Sequence, residues 1–187
     1  MKSTLFGALL LAGLAFGLVG CSAEPKNEEK KNALDSDVQA SLDSMRKEDP
    51  SFASFVDKSY GYAVYPSVGK GGLIVGGAYG HGEVFEQGRM IGYSDLTAAT
   101  VGAQIGGQSF TEVICFENKA ALDNFISKEY AFSAGFSAVA LKSGAAAQAR
   151  FKDGIAVFTY VKGGLMAEAS VGGQKFRFVP LANATQK

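Results

Sequence analysis

The chain has three successive patterns of hydrophobic and polar residues. From Leu5 to Gly20 nearly every residue is apolar. From Ala33 to Asp49, apolar residues recur at intervals of three and four with charged residues between them, which is the spacing of an amphipathic helix. From Gly61 onward, short segments rich in Val, Ile, Phe, Tyr and Thr stand between glycines, which predicts β-strands. The pattern therefore predicts an apolar leader, a helical part and a strand-rich part.

The leader has the features of an export signal. Lys2 precedes the apolar run, which is shorter than the roughly 20 residues that a membrane-spanning helix needs. Residues 1–20 are therefore interpreted as a signal peptide. Leu18-Val19-Gly20-Cys21 matches the bacterial lipobox, and the alternative is an uncleaved anchor that happens to end in Cys.

Similarity to lipoprotein precursors has consequences for Cys21 and for localisation. It implies that Cys21 becomes the new N-terminus and carries covalent diacylglycerol and an N-terminal acyl chain such as palmitate. Two or more acyl chains anchor a protein stably in a membrane. Ser22 stands where Asp would be the inner-membrane retention signal. We therefore expect a lipid anchor in the outer membrane of a Gram-negative cell, with the protein facing the periplasm.

Two helices are predicted before the strands. Residues 21–32 are polar and without periodicity, which is typical of a flexible tether, here a lipidated one. The amphipathic helix follows at 33–49. Asp49-Pro50 supplies an N-cap and a proline at the first helical position, so a short second helix should begin there. The domain proper is expected to span residues 33–187.

The strand-rich part is unusual in its glycine content. The chain has 24 glycines, and all those after the signal segment lie from Gly61 onward. Glycine inside strands marks bulges, bends or close backbone approach. One interruption, from Asn118 to Ser127, has an Asn cap and an apolar face, which predicts an inserted helix. The expected fold class is α+β: a strongly curled, mainly antiparallel sheet or barrel-like structure with two N-terminal helices and one inserted helix.

Composition excludes several classes of function. Eighteen basic and 18 acidic residues give a net charge of zero, so no nucleic-acid partner is expected. One His and two Cys are too few for a zinc site, and no metal or cofactor is predicted. Nucleophile-elbow, P-loop and dinucleotide motifs are absent, so catalysis is not expected. A Cys115–His81 dyad is conceivable, but the apolar run around Cys115 favours an inert buried thiol. His81 is interpreted as a strand residue near the surface.

A repeat links the two ends of the strand-rich part. GYAVYPSVGKGGL at 61–73 and GIAVFTYVKGGL at 154–165 share a strand pattern followed by Lys-Gly-Gly-Leu. Each copy predicts a hairpin with a lysine, Lys70 or Lys162, at its turn. Our hypothesis is that the hairpins occupy related places in the sheet and present both lysines at one rim.

Three ordered segments carry a resemblance to a known family: GYAVYPSVGKGGLIVGGAYGHGEVF, YSDLTAATVGAQIGGQSFTEVICFENKAALDNF and VFTYVKGGLMAEASVGG. They resemble the SYLF domain of bacterial lipoproteins and of eukaryotic membrane-trafficking and actin-patch proteins, over roughly Ala33 to Pro180. The resemblance implies a lipid-binding module, for phosphoinositides in eukaryotes and with actin binding in some members. In a bacterial envelope, the property that carries over is binding of anionic membrane phospholipid.

The charge distribution suggests which residues would contact the lipid. Residues 142–187 hold seven basic and two acidic side chains. Cations near an anionic bilayer each contribute about 1 kcal/mol. The candidate head-group contacts are Lys70 and Lys162 at the repeated turns, together with Lys142, Arg150, Lys152, Lys175 and Arg177. The alternative is that these basic side chains are scattered over the surface at the solvated ends of strands.

Two other classes of function remain open from the sequence. The chain could be a non-enzymatic module that binds another envelope protein. It could also be a structural protein inserted through glycine-faced helices, because Gly72, Gly76 and Gly80 are spaced as in packed membrane helices. The uncharged run there is too short for a span, which argues against insertion.

Overall fold

Four helices and eight strands make up the described part of the chain. The computed structural model describes residues 23–71, 75–101, 108–127, 129–132, 138–161 and 173–182. The helices are α1 (Glu28–Glu48), α2 (Pro50–Lys58), α3 (Lys119–Ile126) and α4 (Ala145–Gln148). The strands are β1 (Gly61–Gly71), β2 (Val75–Glu86), β3 (Arg89–Val101), β4 (Gln108–Phe116), β5 (Glu129–Ala131), β6 (Val139–Ala140), β7 (Ile155–Tyr160) and β8 (Gln174–Pro180). The α+β fold class is confirmed.

Side-chain caps set the helix boundaries. The Asn27 side chain accepts a hydrogen bond from the Lys30 amide at 2.9 Å, so α1 begins at Glu28, inside the segment expected to be a tether. Asp49 caps α2 as predicted, with Pro50 at its first position. Asn118 caps α3 in the same way. The short α4 was not predicted. Among the described residues, no helix is long and apolar enough to cross a membrane.

The eight strands form one sheet in the order β5-β8-β3-β2-β1-β4-β7-β6, and every pairing except β6 with β7 is antiparallel. The sheet is strongly curled into a half-barrel. The rings of Tyr65 in β1 and Phe176 in β8 lie 5.8 Å apart, although two strands separate them in the sheet. A flat sheet would place them roughly 14 Å apart at its ordinary strand spacing.

The two faces of the sheet carry separate cores. The inner face packs aromatic and aliphatic side chains around Tyr65, Phe116 and Phe176, and α3 closes it with Leu122 and Phe125. The outer face is covered by α1, α2 and α4, whose apolar residues pack on strands β1, β2, β4 and β7. Because successive side chains of a strand point to opposite faces of the sheet, one strand can contribute residues to both cores.

Several predicted strands differ from the observed ones. The strand predicted from Thr97 begins at Arg89 instead, after a two-residue turn in which Gln87 and Gly88 both have positive φ. Within the predicted segment 131–141, only Ala131 and Val139–Ala140 are in strands among the described residues. Gly76 and Gly80 lie in β2, so the helical packing considered for them is wrong at these positions.

The two repeat copies lie on either side of β4. Phe116 in β4 pairs with Gly61 in β1 and with Ile155 in β7. The sequence alignment matches Gly61 with Gly154 and not with Ile155. Relative to β4, the register of β7 is therefore shifted by one residue from that of β1. Equivalent side chains therefore face opposite cores: Val64 packs on the outer face and its counterpart Val157 on the inner face. The common lysine rim stays a prediction, because Lys162 lies outside the described residues.

Candidate functional site: a basic cleft between α2 and α4

One buried carboxylate fastens α4 to the start of α2. Asp49 Oδ1 accepts hydrogen bonds from the Ser51 amide at 3.0 Å and the Ser51 hydroxyl at 2.6 Å. Its Oδ2 accepts from the Ala146 amide at 2.8 Å. Burial alone would raise the pKa of the Asp49 carboxyl, but these hydrogen bonds hold the pKa below its ordinary value. The carboxylate therefore stays charged and fixes the short α4 against α2.

A cleft of about 570 Å³ opens between these two helices. Its apolar wall contains Phe55 of α2 and Phe151, whose ring centroids lie 4.9 Å apart. Lys58 in the last turn of α2 and Arg150 line it as well, and both are exposed. The remaining lining residues are Ser51, Ser54, Glu117, Ala146, Ala147 and Ala149.

The arrangement of charge favours an anion. Lys58 and Arg150 supply two cations against one exposed carboxylate, that of Glu117. The Arg150 guanidinium donates from Nη1 to the carbonyls of Ala149 at 2.7 Å and Ala147 at 3.3 Å, which holds it at the end of α4. A guanidinium has five N–H donors, so these bonds leave others for a ligand. The cleft thus combines an apolar wall with two cationic groups, which together complement an anion that is attached to an apolar group.

The structure disperses the predicted contact residues. Arg150 lines the cleft, while Lys142 and Lys152 are exposed and flank α4 in sequence. Lys175 and Arg177 lie on β8, in a different part of the sheet. The backbone of Lys70 lies in β1, whereas Lys162 and the lipidation residue Cys21 are outside the described residues.

Sequence reasoning missed Lys58. No motif surrounds Lys58, and its partner Arg150 is distant in sequence. The one available signal was its place in the last turn of the predicted second helix, where a cation also complements the helix dipole.

Cys115 and His81 do not form a dyad. Burial raises the pKa of the Cys115 thiol to about 12, and the residue is fully buried in the outer core. His81 lies on the exposed part of β2 and contacts Tyr79 and Asp95 instead. The interpretations of Cys115 as a buried thiol and of His81 as a surface strand residue are both confirmed.

The fold is a curled sheet with a cleft between α2 and α4 that two cationic side chains line. A family model described as "Ysc84: Las17-binding protein actin regulator" matches residues 97–185. Beta cell expansion factor A of Aeromonas veronii is 30% identical over 152 residues, which cover 80% of this chain and 57% of that protein. Residues 97–185 therefore match the Ysc84 family, also called SYLF, which agrees with the resemblance found in the sequence.

Proposed function

We propose that this protein is a lipoprotein anchored in the outer membrane through acylated Cys21, and that its periplasmic SYLF domain binds anionic phospholipid head groups without catalysing a reaction. The observation that carries the proposal is the cleft, in which Lys58 and Arg150 stand beside the apolar wall of Phe55 and Phe151. The family description names a binding regulator, which supports a non-enzymatic role.

The energetics of the cleft fit a membrane-attached protein. Two cations at an anionic bilayer contribute about 2 kcal/mol, which is roughly a thirtyfold preference for anionic over neutral lipid. Such a preference is small for a free protein. It is sufficient for a domain that the acyl chains on Cys21 already hold near the bilayer, because tethering raises the effective concentration of lipid.

The exposed lysines beside the cleft extend the attraction. Lys142 and Lys152 are exposed on the segments that enter and leave α4. Exposed charges act over about a Debye length, 8 Å at physiological ionic strength, and are screened by added salt. Lys70, Lys162, Lys175 and Arg177 remain candidate contacts from the sequence.

Vesicle binding tests the proposal. Residues 23–187 lack the acylated cysteine, so their binding reports the domain alone. We expect vesicles with phosphatidylglycerol to bind at least tenfold more tightly than pure phosphatidylcholine vesicles at low salt, and added salt to reduce the difference. The double variant Lys58→Gln/Arg150→Gln should lose most of this preference.

A charge-matched variant serves as the control. Lys26→Gln/Lys30→Gln removes the same two charges from exposed positions at the start of α1 and should change binding less than twofold. Equal binding of the unmodified domain to both kinds of vesicle would remove the electrostatic mechanism. Equal loss in both double variants would remove the cleft as the binding site.

A protein ligand is the second candidate function. The matched family is described by its binding to another protein, which favours a non-enzymatic interaction or structural module of the cell envelope. Recovery of one stoichiometric envelope protein with the domain, together with no preference for anionic vesicles, would select this alternative.

A further inference from the structure

Six polar side chains form two rows on the outer face of the sheet, away from the cleft. Strand register places Tyr79, Thr97 and Lys175 opposite one another across β2, β3 and β8. The next row contains His81, Asp95 and Arg177 on the same strands. Tyr79, Thr97 and Lys175 are exposed, and the His81 side chain is 43% exposed. We call these six residues the outer-face patch.

A buried carboxylate organises the patch. Asp95 Oδ1 lies 2.6 Å from His81 Nδ1, and its Oδ2 accepts a hydrogen bond from Arg177 Nη2 at 2.8 Å. The Asp95 side chain is only 6% exposed. Burial would raise the pKa of this carboxyl, but His81 and Arg177 hold the pKa below its ordinary value. Asp95 therefore acts as a fixed anion that orients an imidazole and a guanidinium.

The hydrogen bonds determine the state of the His81 ring. A carboxylate only accepts, so Nδ1 must carry a hydrogen that it donates to Asp95. The Tyr79 hydroxyl oxygen lies 2.8 Å from Nε2, 3.3 Å from Nδ1 and 3.4 Å from Asp95 Oδ1, so its hydrogen has acceptors on both His81 and Asp95. In the neutral ring Nε2 keeps its lone pair, and a proton added there makes the ring a cation.

Protonation of His81 adds one positive charge to the patch, beside Arg177 and Lys175. Thr97 lies between Tyr79 and Lys175, which are two strand spacings apart, or roughly 10 Å. Tyr79 on one side of the Thr97 hydroxyl and Lys175 on the other have side chains long enough to reach a single tetrahedral oxyanion above it.

We propose that the outer-face patch is a phosphate-binding site, for a free phosphate or the phosphate of a lipid head group, and that it binds more tightly when His81 is protonated. Arg177 and Lys175 attract the anion in both states of His81. The hydroxyls of Thr97 and Tyr79, which lie 3.5 Å from the Lys175 carbonyl and 3.4 Å from Asp95 Oδ1, turn to donate to it. The site is separate from the α2–α4 cleft and does not depend on the function proposed for that cleft.

The charged groups around His81 are few among the described residues. On β2, Tyr79 and Glu83 lie on the same face as His81, on either side of it; β3 contributes Asp95, and β8 contributes Arg177 and Lys175. On β1 the residue in register with His81 is the uncharged Ser67. Of these groups, Glu83 has a pKa that burial raises to about 7, so its contribution is removed with Glu83→Gln in the test.

His81 can be observed directly, because the chain contains one histidine. The full chain, purified in detergent micelles with a histidine-free tag, is titrated between about pH 5 and 8, and the ring resonances are followed by NMR. Linkage requires that a ligand preferring the protonated state raise the titration midpoint. We expect saturating inorganic phosphate to raise it by at least about 0.5 pH unit, which corresponds to about threefold tighter binding.

Variants separate the parts of the site. Tyr79→Phe should weaken phosphate binding by the same factor near pH 5.5 and near pH 7.5. Lys175→Gln should weaken binding at both values. His81→Gln should remove the pH dependence apart from the titration of phosphate itself, which is common to all variants. Lys58→Gln/Arg150→Gln should leave the midpoint shift unchanged, which distinguishes this site from the cleft.

The source of the phosphate is distinguished with nanodiscs. The full chain is placed in phosphatidylcholine nanodiscs with and without phosphatidylglycerol. A midpoint shift in the anionic discs alone assigns the site to lipid, and a shift with inorganic phosphate alone assigns it to a free phosphate. If neither shifts the midpoint, or if His81→Gln binds with the pH dependence of the unmodified chain, the proposal is wrong.

Discussion

Glu83 is a buried carboxyl in the middle of the outer face. It lies in register with Val64 of β1 and Tyr93 of β3 and is 1% exposed. Its Oε2 has no hydrogen-bond partner among the described residues. Burial, with the negative charge of Asp35 on α1 adding to it, raises the pKa of Glu83 to about 7. The folded protein therefore prefers the neutral acid.

This pKa has a consequence for stability. Between about pH 4.5 and 7 the folded state binds more protons at Glu83 than the unfolded state, so the free energy of unfolding must fall as pH rises. Glu83→Gln removes this dependence. We expect the variant to match the unmodified domain near pH 4.5 and to exceed its unfolding free energy at pH 8, by at most about 3 kcal/mol. Urea unfolding of both proteins across this range measures the difference.

An exposed acid on α1 provides the control for Glu83. Glu48→Gln replaces an exposed carboxyl and should change the unfolding free energy by less than about 0.5 kcal/mol at pH 4.5 and at pH 8. The account would be contradicted if the unfolding free energies of Glu83→Gln and of the unmodified domain changed with pH in parallel. Glu83 would then be ionised in the folded state at neutral pH.

At the scale of elements, glycine permits β1 and β2 to approach closely. The register of β1 shifts between Val64 and Ser67. Opposite this irregularity, a Cβ on Gly82 would collide with the Val64 carbonyl oxygen and the Tyr65 ring. The glycine therefore belongs to the bend that brings Tyr65 into the inner core, as the sequence predicts for glycines inside strands.

Gly82→Ala tests this account. We expect it to lower the free energy of unfolding by about 1–3 kcal/mol, because a fixed backbone oxygen must move. Gly69→Ala in β1 is the matched control, since a Cβ there meets nothing within 4 Å. Equal thermal stability of the two variants would contradict the role assigned to Gly82.

Elements with local signals could be predicted from the sequence, and those without them could not. Asn118 and Asp49-Pro50 mark the starts of α3 and α2, because a cap acts on its own next turn. The four-residue α4 has no apolar period to detect, and Asp49, far away in sequence, holds it in place. The first half of β3 was missed because the Gln87-Gly88 turn that precedes it was not recognised.

At the scale of the whole molecule, the fold determines which charges act together. The chain is neutral overall, and the sequence could identify only a basic C-terminal part. The pairing of β3 with β8 places Arg177 beside Asp95, and the packing of α4 against α2 brings Arg150 to Lys58 at the α2–α4 cleft. These partners are distant in sequence, so neither pairing has a local signature. Candidate residues could therefore be named from the sequence, while the sites could not be assembled from it.

The location of the lipid site is the central claim, and amide NMR tests it most directly. A short-chain phosphatidylglycerol is added to the ¹⁵N-labelled domain at pH 7.5, with phosphatidylcholine as the reference. The account predicts the largest specific shifts at Phe55, Lys58 and residues 147–151. Shifts confined to other parts of the sheet, or the same shifts with both lipids, would contradict it.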